Sequence, residues 1–322
     1  MRAAAGVDLG GTKVQGVLVD QRGRRLGEAR GRTPTAGGAE AVVAEIARVV
    51  RVAAKAAKVD PEKLAGVGIG SPGRVDGAGR VYGAANLPGF DEPVPLGALV
   101  GQALGLDRVE VGNDVAAATL AEHRLGAGRG VDDLLVVFVG SGVGGGLVLG
   151  GRLWTGAHGA AGEIGHMVVV EGGEVCPCGR RGCLEAYAGR VALERAARAA
   201  AAAGRRTELL AILEREGRPR MTSGVWMAAL EAGDPVASEL IERAVQALAT
   251  AIASAVNLVD VELVLIGGGL GDKLGAPFVD RVRTAVAPHL FQPPAGVRVG
   301  SCALGDYGGA LGAGLLVTAR AG

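Results

Sequence analysis

The spacing of apolar residues along the chain predicts an alternation of strands and helices. In the first half, short β-branched runs predict strands at 3–9, 14–20, 26–33, 64–69 and 108–111. Apolar residues three and four positions apart predict an amphipathic helix at 39–58, and shorter helices follow at 95–104 and 114–125. This order is typical of an α/β protein.

The second half of the chain begins as the first half does. A strand at 133–139 runs into the glycine-rich segment 140–146 and a strand at 147–150, which repeats the strand–glycine–strand order of residues 5–20. The remainder is predicted to be helical at 184–258, with a strand at 261–266, a glycine turn at 267–269 and helices at 277–287 and 308–319. Two similar α/β halves around a cleft are therefore expected.

Composition limits the classes of protein that fit this pattern. The chain has 57 glycines in 322 residues, about 18% against a usual share of roughly 7%, but no collagen-like period. With 49% apolar and 21% charged residues it is expected to be globular. The net charge of +1 gives no overall attraction to nucleic acid or to a membrane. A tight cysteine triplet plus a distant Cys302 is a poor disulfide framework, and a cytoplasmic protein is the default expectation.

The glycine turns at 10–11, 140–146 and 267–269 are candidates for binding phosphate. Glycine lets backbone N–H groups approach an anion closely. Asp8 precedes the first turn and Thr12 and Lys13 follow it, so a carboxylate for Mg²⁺ stands beside a hydroxyl and an ammonium for phosphate. No Gly-Lys pair exists for a Walker A loop. The alternative is that each turn only closes a tight hairpin.

Three of the four cysteines cluster behind a histidine. The spacing of His166, Cys176, Cys178 and Cys183 predicts a closed tetrahedral zinc site, the structural type. Free thiols or a strained disulfide between the first two cysteines are the alternatives. Glu163 and Glu185 flank this segment, so a zinc loop would hold two carboxylates beside the imidazole, unless they are solvated or pair with neighbouring arginines.

Asn113 and Asp114 stand where a predicted strand passes into a helix. Such residues are favoured as helix N-caps, which is one interpretation. The other is that Asp114 is a general base, because α/β proteins place their sites at the carboxyl ends of strands. A carboxylate there can accept the proton of an attacking hydroxyl.

These motifs, in this order, resemble the ROK family of sugar kinases and repressors, and most closely its bacterial ATP-dependent glucokinases. The resemblance rests on these segments: Asp8-Leu9-Gly10-Gly11-Thr12, Asn86-Leu87-Pro88-Gly89-Phe90, Gly112-Asn113-Asp114, Gly142-Val143-Gly144-Gly145-Gly146, Glu163-Ile164-Gly165-His166 and Cys176 to Glu185. It implies the actin-like ATPase/hexokinase fold (ribonuclease H-like), with two α/β domains flanking a cleft. The domains expected are a smaller one at 1–115 plus 308–322 and a larger one with the zinc loop at 116–307.

The resemblance also implies a role for each site residue. Asp114 would be the catalytic base that accepts the proton of the glucose 6-hydroxyl, with ATP, Mg²⁺ and a structural Zn²⁺ as cofactors. The sugar would be bound by Gly73, Asn86, Asn113, Asp114, Glu163, His166 and Glu185. The nucleotide would be bound by Asp8, Gly10, Gly11, Thr12, Lys13, Ser141, Gly142, Gly144, Gly268 and Gly269. Zinc would be bound by His166, Cys176, Cys178 and Cys183.

Several alternatives stay open. The hexose could be N-acetylmannosamine, N-acetylglucosamine, mannose or fructose, the donor could be polyphosphate, and Phe90 stands where glucokinases often have Trp. A non-catalytic sugar-binding regulator is a second class. It is disfavoured by the charge balance, the intact Asp114 and the lack of room for a DNA-binding segment before Asp8. Small-molecule hexose and ATP, a homodimer or homotetramer, and no nucleic acid or membrane partner are expected.

Overall fold

The structure, a computed structural model, describes residues 3–84, 87–291 and 296–318. Its strands are β1 (Ala4–Leu9), β2 (Lys13–Val19), β3 (Arg25–Arg32), β4 (Val67–Ser71), β5 (Arg74–Val75), β6 (Val81–Tyr82), β7 (Val109–Asn113), β8 (Leu134–Val139), β9 (Val143–Leu149), β10 (Arg152–Trp154), β11 (Leu263–Gly267) and β12 (Arg298–Ser301). Its helices are α1 (Gly38–Ala56), α2 (Leu96–Leu104), α3 (Asp114–Arg124), α4 (Glu185–Ala188), α5 (Arg190–Ala202), α6 (Glu208–Arg215), α7 (Ser223–Glu231), α8 (Pro235–Val259), α9 (Gly268–Val286) and α10 (Gly308–Thr318).

Contacts between Cα atoms divide the chain into two compact units. The first contains Met1–Gly130, Leu153–Ala161 and Asp306–Gly322, and the second contains Val131–Arg152 and Gly162–Gly305. The sequence-based division at 115/116 and 307/308 stays a prediction. The contact-based division differs from it chiefly in assigning the whole of α3 to the first unit.

The first unit contains a five-stranded sheet in the order β3-β2-β1-β4-β7. β1 is antiparallel to β2 but parallel to β4, which is in turn parallel to β7. In this register Asp8 lies beside Gly70, and Gly70 lies beside Gly112. The carboxyl ends of three parallel strands therefore lie side by side at one edge of the sheet.

Helices cover both faces of this sheet. α1 buries Val42, Ile46 and Val49 on one face, as the spacing of apolar residues predicts. α10 packs on the other face against β1, β4 and α3. Gly6 and Gly68 allow this, because a side chain at either position would overlap the α10 backbone. The glycines of β1 and β4 thus replace side chains with direct contact between helix and strand.

The second unit repeats the same strand order on a different sequence. β9, β8, β11 and β12 lie in this order, with β8 antiparallel to β9 and parallel to β11. α8 and α9 pack against one another, and the unit's core includes the fully buried Trp226 and Met221. Among the described residues, no helix combines the length and the apolar character that a membrane span requires.

Two glycine turns differ from the sequence-based prediction. The turn predicted at 140–146 is wrong in its second half, because Gly144, Gly145 and Gly146 are extended residues of β9 that pair with β8. The turn predicted at 267–269 is instead the junction of β11 with α9. The helix predicted at 277–287 is the second part of α9, which is broken at Gly275.

Candidate active site

The first group of predicted site residues lies at the carboxyl edge of the first unit's sheet. Asp8 stands near the end of β1, and Asn113 and Asp114 stand at the junction of β7 with α3. Because β4 lies between β1 and β7, Asp8 and Gly112 are two strand spacings apart, about 10 Å. The sheet therefore brings together the carboxylates that the sequence singled out.

The turn between β1 and β2 carries the predicted phosphate-binding residues of this unit. Gly10 donates its N–H to the Lys13 carbonyl at 2.9 Å, which closes the turn around the exposed Gly11 and Thr12. The Lys13 ammonium lies 3.4 Å from an Asp306 carboxylate oxygen. A hydroxyl, an ammonium and open backbone amides therefore lie within four residues.

The Asp8 carboxyl is electrostatically unusual. Burial raises its pKa, the Lys13 ammonium acts in the opposite direction, and the Asp306 carboxylate raises the pKa again. A divalent cation at this position would offset the cost of burying the negative charge. The residue is therefore a fitting oxygen ligand for Mg²⁺.

The two interpretations of the pair Asn113 and Asp114 are a helix N-cap and a general base. The Asn113 side chain caps α3, since its Oδ1 accepts the Ala116 N–H at 3.0 Å. The neighbouring carboxylate is the first residue of the helix, and its Oδ1 accepts the Val115 N–H at 2.9 Å. The N-cap interpretation is therefore confirmed for Asn113, and Asp114 stands in the first turn of the helix, where a negative charge is favoured.

The structure places one further predicted sugar-binding residue beside this pair. Gly73 has a φ of 81°, and its carbonyl accepts the Asn113 amide Nδ2 at 3.4 Å. Asn86, also predicted to bind the sugar, lies outside the described residues. Phe90, in the same predicted sugar loop, is buried in the core of the first unit.

The second group of predicted site residues surrounds the start of β9 in the second unit. The turn Gly140–Gly142 is closed by a bond from the Gly140 N–H to the Gly142 carbonyl at 2.9 Å. A Glu185 carboxylate oxygen accepts the Val143 N–H at 2.9 Å and lies against Gly142. The predicted sugar residue Glu185 therefore also holds the predicted phosphate turn.

Glu163 and His166 are brought to the same strand. Glu163 is the N-cap and His166 the last residue of the short 3₁₀ helix Ile164–His166, which packs on β9. A side chain at Gly145 would place its Cβ 2.7 Å from the Gly162 carbonyl and 2.7 Å from the Ile164 side chain. Close approach across glycine therefore fixes the segment that carries both residues.

The four predicted zinc ligands come together. One ligand atom from each of His166, Cys176, Cys178 and Cys183 lies within 4.8 Å of all the others. His166 Nδ1 is 3.7 Å from Cys176 Sγ, and Cys178 Sγ is 3.8 Å from Cys183 Sγ. Sulfur at about 2.3 Å and nitrogen at about 2.0 Å from a tetrahedral zinc ion stand about 3.5–3.8 Å apart. The set therefore fits Zn²⁺.

The thiols of this cluster are not equivalent. Burial raises the pKa of Cys176 to about 12, whereas hydrogen bonds from the Arg180 backbone and side chain lower the pKa of Cys178 to about 6. None of the described cysteines forms a disulfide, so the disulfide considered from the sequence is absent among them. Because Nδ1 of His166 faces the sulfurs, Nε2 is the ring nitrogen left for another partner.

The predicted adenosine-side glycines lie next to the turn Gly140–Gly142. α9 begins at Gly268 without a side-chain cap, and Gly268 has a φ of 86°. A Cβ added at Gly140 would lie 4.0 Å from the Gly269 nitrogen. The uncapped N–H groups of a helix start are suited to an anion.

Comparison with known proteins shows the family to which the chain belongs. The sequence profile of the ROK family matches residues 4–320. The chain belongs to the ROK family. A glucokinase from Thermotoga maritima is 34% identical over 322 residues, with 98% of each chain covered.

Solved structures of the ROK family give the same result. A ROK family glucokinase from Streptomyces griseus, in complex with glucose and AMPPNP, matches with a TM-score of 0.82, 34% identity and 98% of each chain covered. A ROK hexokinase from Thermus thermophilus matches with a TM-score of 0.81 and 33% identity, covering 99% of this chain and 100% of its own. The predicted family and the actin-like ATPase fold are confirmed.

Sequence reasoning missed two charged residues that the structure places at these ROK family turns. Asp306 pairs with Lys13 in the first unit, and Arg190 bonds to Ser141 in the second unit. Each is far along the chain from its partner. The one local indication of such a role in the sequence is that Arg190 directly follows Gly189 at the start of a helix.

Proposed function

We propose that this ROK family chain is a glucokinase that transfers the γ-phosphoryl group of ATP to the 6-hydroxyl of glucose. The observation that carries the proposal is Asp114, a carboxylate at the head of α3 on the same sheet edge as Asp8. Four curated relatives that are 31–35% identical over 97–98% of this chain are named glucokinases. A solved glucokinase of 34% identity is in complex with glucose and AMPPNP.

In this proposal Asp114 is the general base. It accepts the proton of the 6-hydroxyl as that oxygen bonds to the γ-phosphorus, and ADP leaves with the electrons of the broken bond. Asn113 caps the helix and bonds to Gly73. These contacts hold the backbone on both sides of the base, and both residues are proposed to bind the sugar together with Asn86.

The phosphate-binding role is proposed for both turns. Gly10, Gly11, Thr12 and Lys13 supply amides, a hydroxyl and an ammonium in the first unit. Ser141, Gly142 and Gly144 supply amides and a hydroxyl in the second, and Gly268 and Gly269 are proposed to face the adenosine part. Asp8 is proposed to hold Mg²⁺, which neutralises phosphate charge when it is bound.

Zinc is proposed to act structurally. With Cys176, Cys178 and Cys183 filling the other positions, a four-ligand site leaves none open for chemistry. Val168 pairs with Cys183, and the Leu184 N–H donates to the Met167 carbonyl at 2.9 Å. The metal would therefore hold Glu163, His166 and Glu185, which are proposed to bind sugar hydroxyls, on one folded segment.

The test is ADP release from purified protein across a panel of hexoses, with ATP and polyphosphate as donors. Glucose with ATP is expected to give the highest kcat/KM. Preferred turnover of N-acetylmannosamine, N-acetylglucosamine, mannose or fructose would replace the proposed substrate, and preferred use of polyphosphate would replace the proposed donor. Hexose binding without turnover would favour a non-catalytic regulator. The homodimeric or homotetrameric state and the cytoplasmic location stay predictions.

A further inference from the structure

One arginine holds the turn Gly140–Gly142 from outside it. Arg190 is the first residue of α5, and its Nη2 donates to Ser141 Oγ at 2.8 Å while its Nη1 donates to the Met221 carbonyl at 2.7 Å. Its backbone N–H donates to the Gly140 carbonyl at 3.0 Å. Two guanidinium nitrogens and the backbone N–H of Arg190 are thus each held by a hydrogen bond.

The chemistry of these groups sets the direction of the bond to Ser141. A guanidinium has only donors, so the Ser141 oxygen must accept. A serine hydroxyl carries a single proton, and that proton is then directed away from Arg190. It remains available to an acceptor on the other side of Ser141.

The rest of the turn has little freedom. The Val191 N–H donates to the Ser141 carbonyl at 3.1 Å, and Glu185 accepts the Val143 N–H at 2.9 Å. Residues 140–146 contain no charged side chain. The Ser141 hydroxyl is therefore the one rotatable polar group of the turn, and Arg190 determines its rotation.

We propose that Arg190 is a positioning residue for ATP, which orients the Ser141 hydroxyl so that its proton is donated to a phosphate oxygen. The proposal rests on the proposed kinase function, and Arg190 itself needs no contact with the substrate. A hydrogen bond that involves a charged group contributes about 1.5–3 kcal/mol, which corresponds to roughly a tenfold to hundredfold change in affinity.

The experiment compares Arg190→Met and Arg190→Lys with the unchanged protein. ATP-dependent turnover of the unchanged protein is measured first, and its failure would reject the kinase function itself. Arg190→Met is expected to raise the KM for ATP about tenfold or more and to weaken AMPPNP binding equally, with the KM for glucose changed less than twofold. Arg190→Lys is expected to recover part of the loss, since an ammonium can still donate to Ser141.

A double-variant comparison separates positioning from general damage. Ser141→Ala is expected to raise the KM for ATP as Arg190→Met does. Because both substitutions remove the same interaction, the KM for ATP of the double variant is expected to be no higher than that of the more impaired single variant. Arg195→Met is the matched control: it removes a bond from the same helix to the Val175 carbonyl, 2.9 Å long and away from the turn, and is expected to leave the KM for ATP unchanged.

An unchanged KM for ATP in folded Arg190→Met would overturn the inference and leave the kinase function intact. Fully additive effects of Arg190→Met and Ser141→Ala on the KM for ATP would also overturn it, because they would show that the two residues contribute independently. If Arg190→Met does not fold, Arg190→Lys and Ser141→Ala carry the test. Equal rises in both KM values for Arg190→Lys, or a normal KM for ATP in Ser141→Ala, would then overturn it.

Discussion

The close packing of β9 against the segment that carries Glu163 and His166 gives a prediction for Gly145→Ala. The new Cβ would stand 2.7 Å from the Gly162 carbonyl oxygen, 2.7 Å from Ile164 Cγ2 and 3.2 Å from the Val136 carbonyl oxygen. Because ordinary carbon–oxygen approaches are about 3.3–3.6 Å, the segment must recede by about 0.7 Å. The Gly162 and Val136 carbonyls are backbone groups, so neither contact can be relieved by rotation of a flexible side chain.

The expected cost follows from that displacement. Overpacking of this kind lowers the free energy of unfolding by about 1–3 kcal/mol. Displacements of about 1 Å at a site can cost about a hundredfold in rate, so about 0.7 Å is expected to cost roughly tenfold in kcat/KM for glucose. Because the segment carries the proposed sugar residues, the KM for glucose should rise more than the KM for ATP.

Denaturant unfolding and steady-state kinetics measure these two effects. Gly300→Ala is the matched control, since Gly300 lies in β12 of the same sheet and its Cβ would meet only Leu265 Cδ2 at 3.9 Å. Its free energy of unfolding is expected to stay within about 0.5 kcal/mol of that of the unchanged protein, as for other benign substitutions. If Gly145→Ala were as stable and as active as Gly300→Ala, the packing argument would be refuted.

Two further predictions concern the zinc loop and Asp8. Zinc analysis of protein purified without added metal is expected to give one ion per chain, and removal by a chelator should lower the Tm and abolish turnover, because His166 and Glu185 lose their support; full activity with well under one zinc per chain would contradict this. Asp8→Asn is expected to raise the Tm at pH values above the ordinary carboxyl range while nearly abolishing turnover. The raised pKa of Asp8 means that the folded state binds more protons than the unfolded state. The unchanged protein therefore loses stability as the pH rises from the ordinary carboxyl range to the raised pKa. The variant has no carboxyl at this position and is not expected to show this loss. A Tm difference that is independent of pH would be evidence against this origin.

Features written in short stretches of sequence could be predicted before the structure. The four zinc ligands lie within a single segment, and the spacing of His166 and the cysteines was sufficient to group them. The turn that follows Asp8 was equally local. Repetition of the strand order in the two units was visible as two strand–glycine–strand segments.

Features that depend on distant pairing could not be predicted in the same way. Gly144 and Gly145 have a weak strand preference of their own and become extended because they pair with Phe138 and Val137 of β8. Arg190 and Ser141 are 49 residues apart, so no local pattern joins them. α9 begins at a run of glycines because the Gly268 backbone packs closely on Val139, a contact that no helix propensity indicates.

The central claim is that Asp114 is the base that takes the proton of the glucose 6-hydroxyl. The most direct measurement is kcat for Asp114→Asn and Asp114→Ala, together with glucose affinity by calorimetry. Loss of a general base is expected to lower kcat by about 10²–10⁴-fold, while glucose still binds, because the N-cap residue Asn113 and its bonds to Ala116 and Gly73 are kept. A folded Asp114→Ala protein with near-normal kcat would contradict the account.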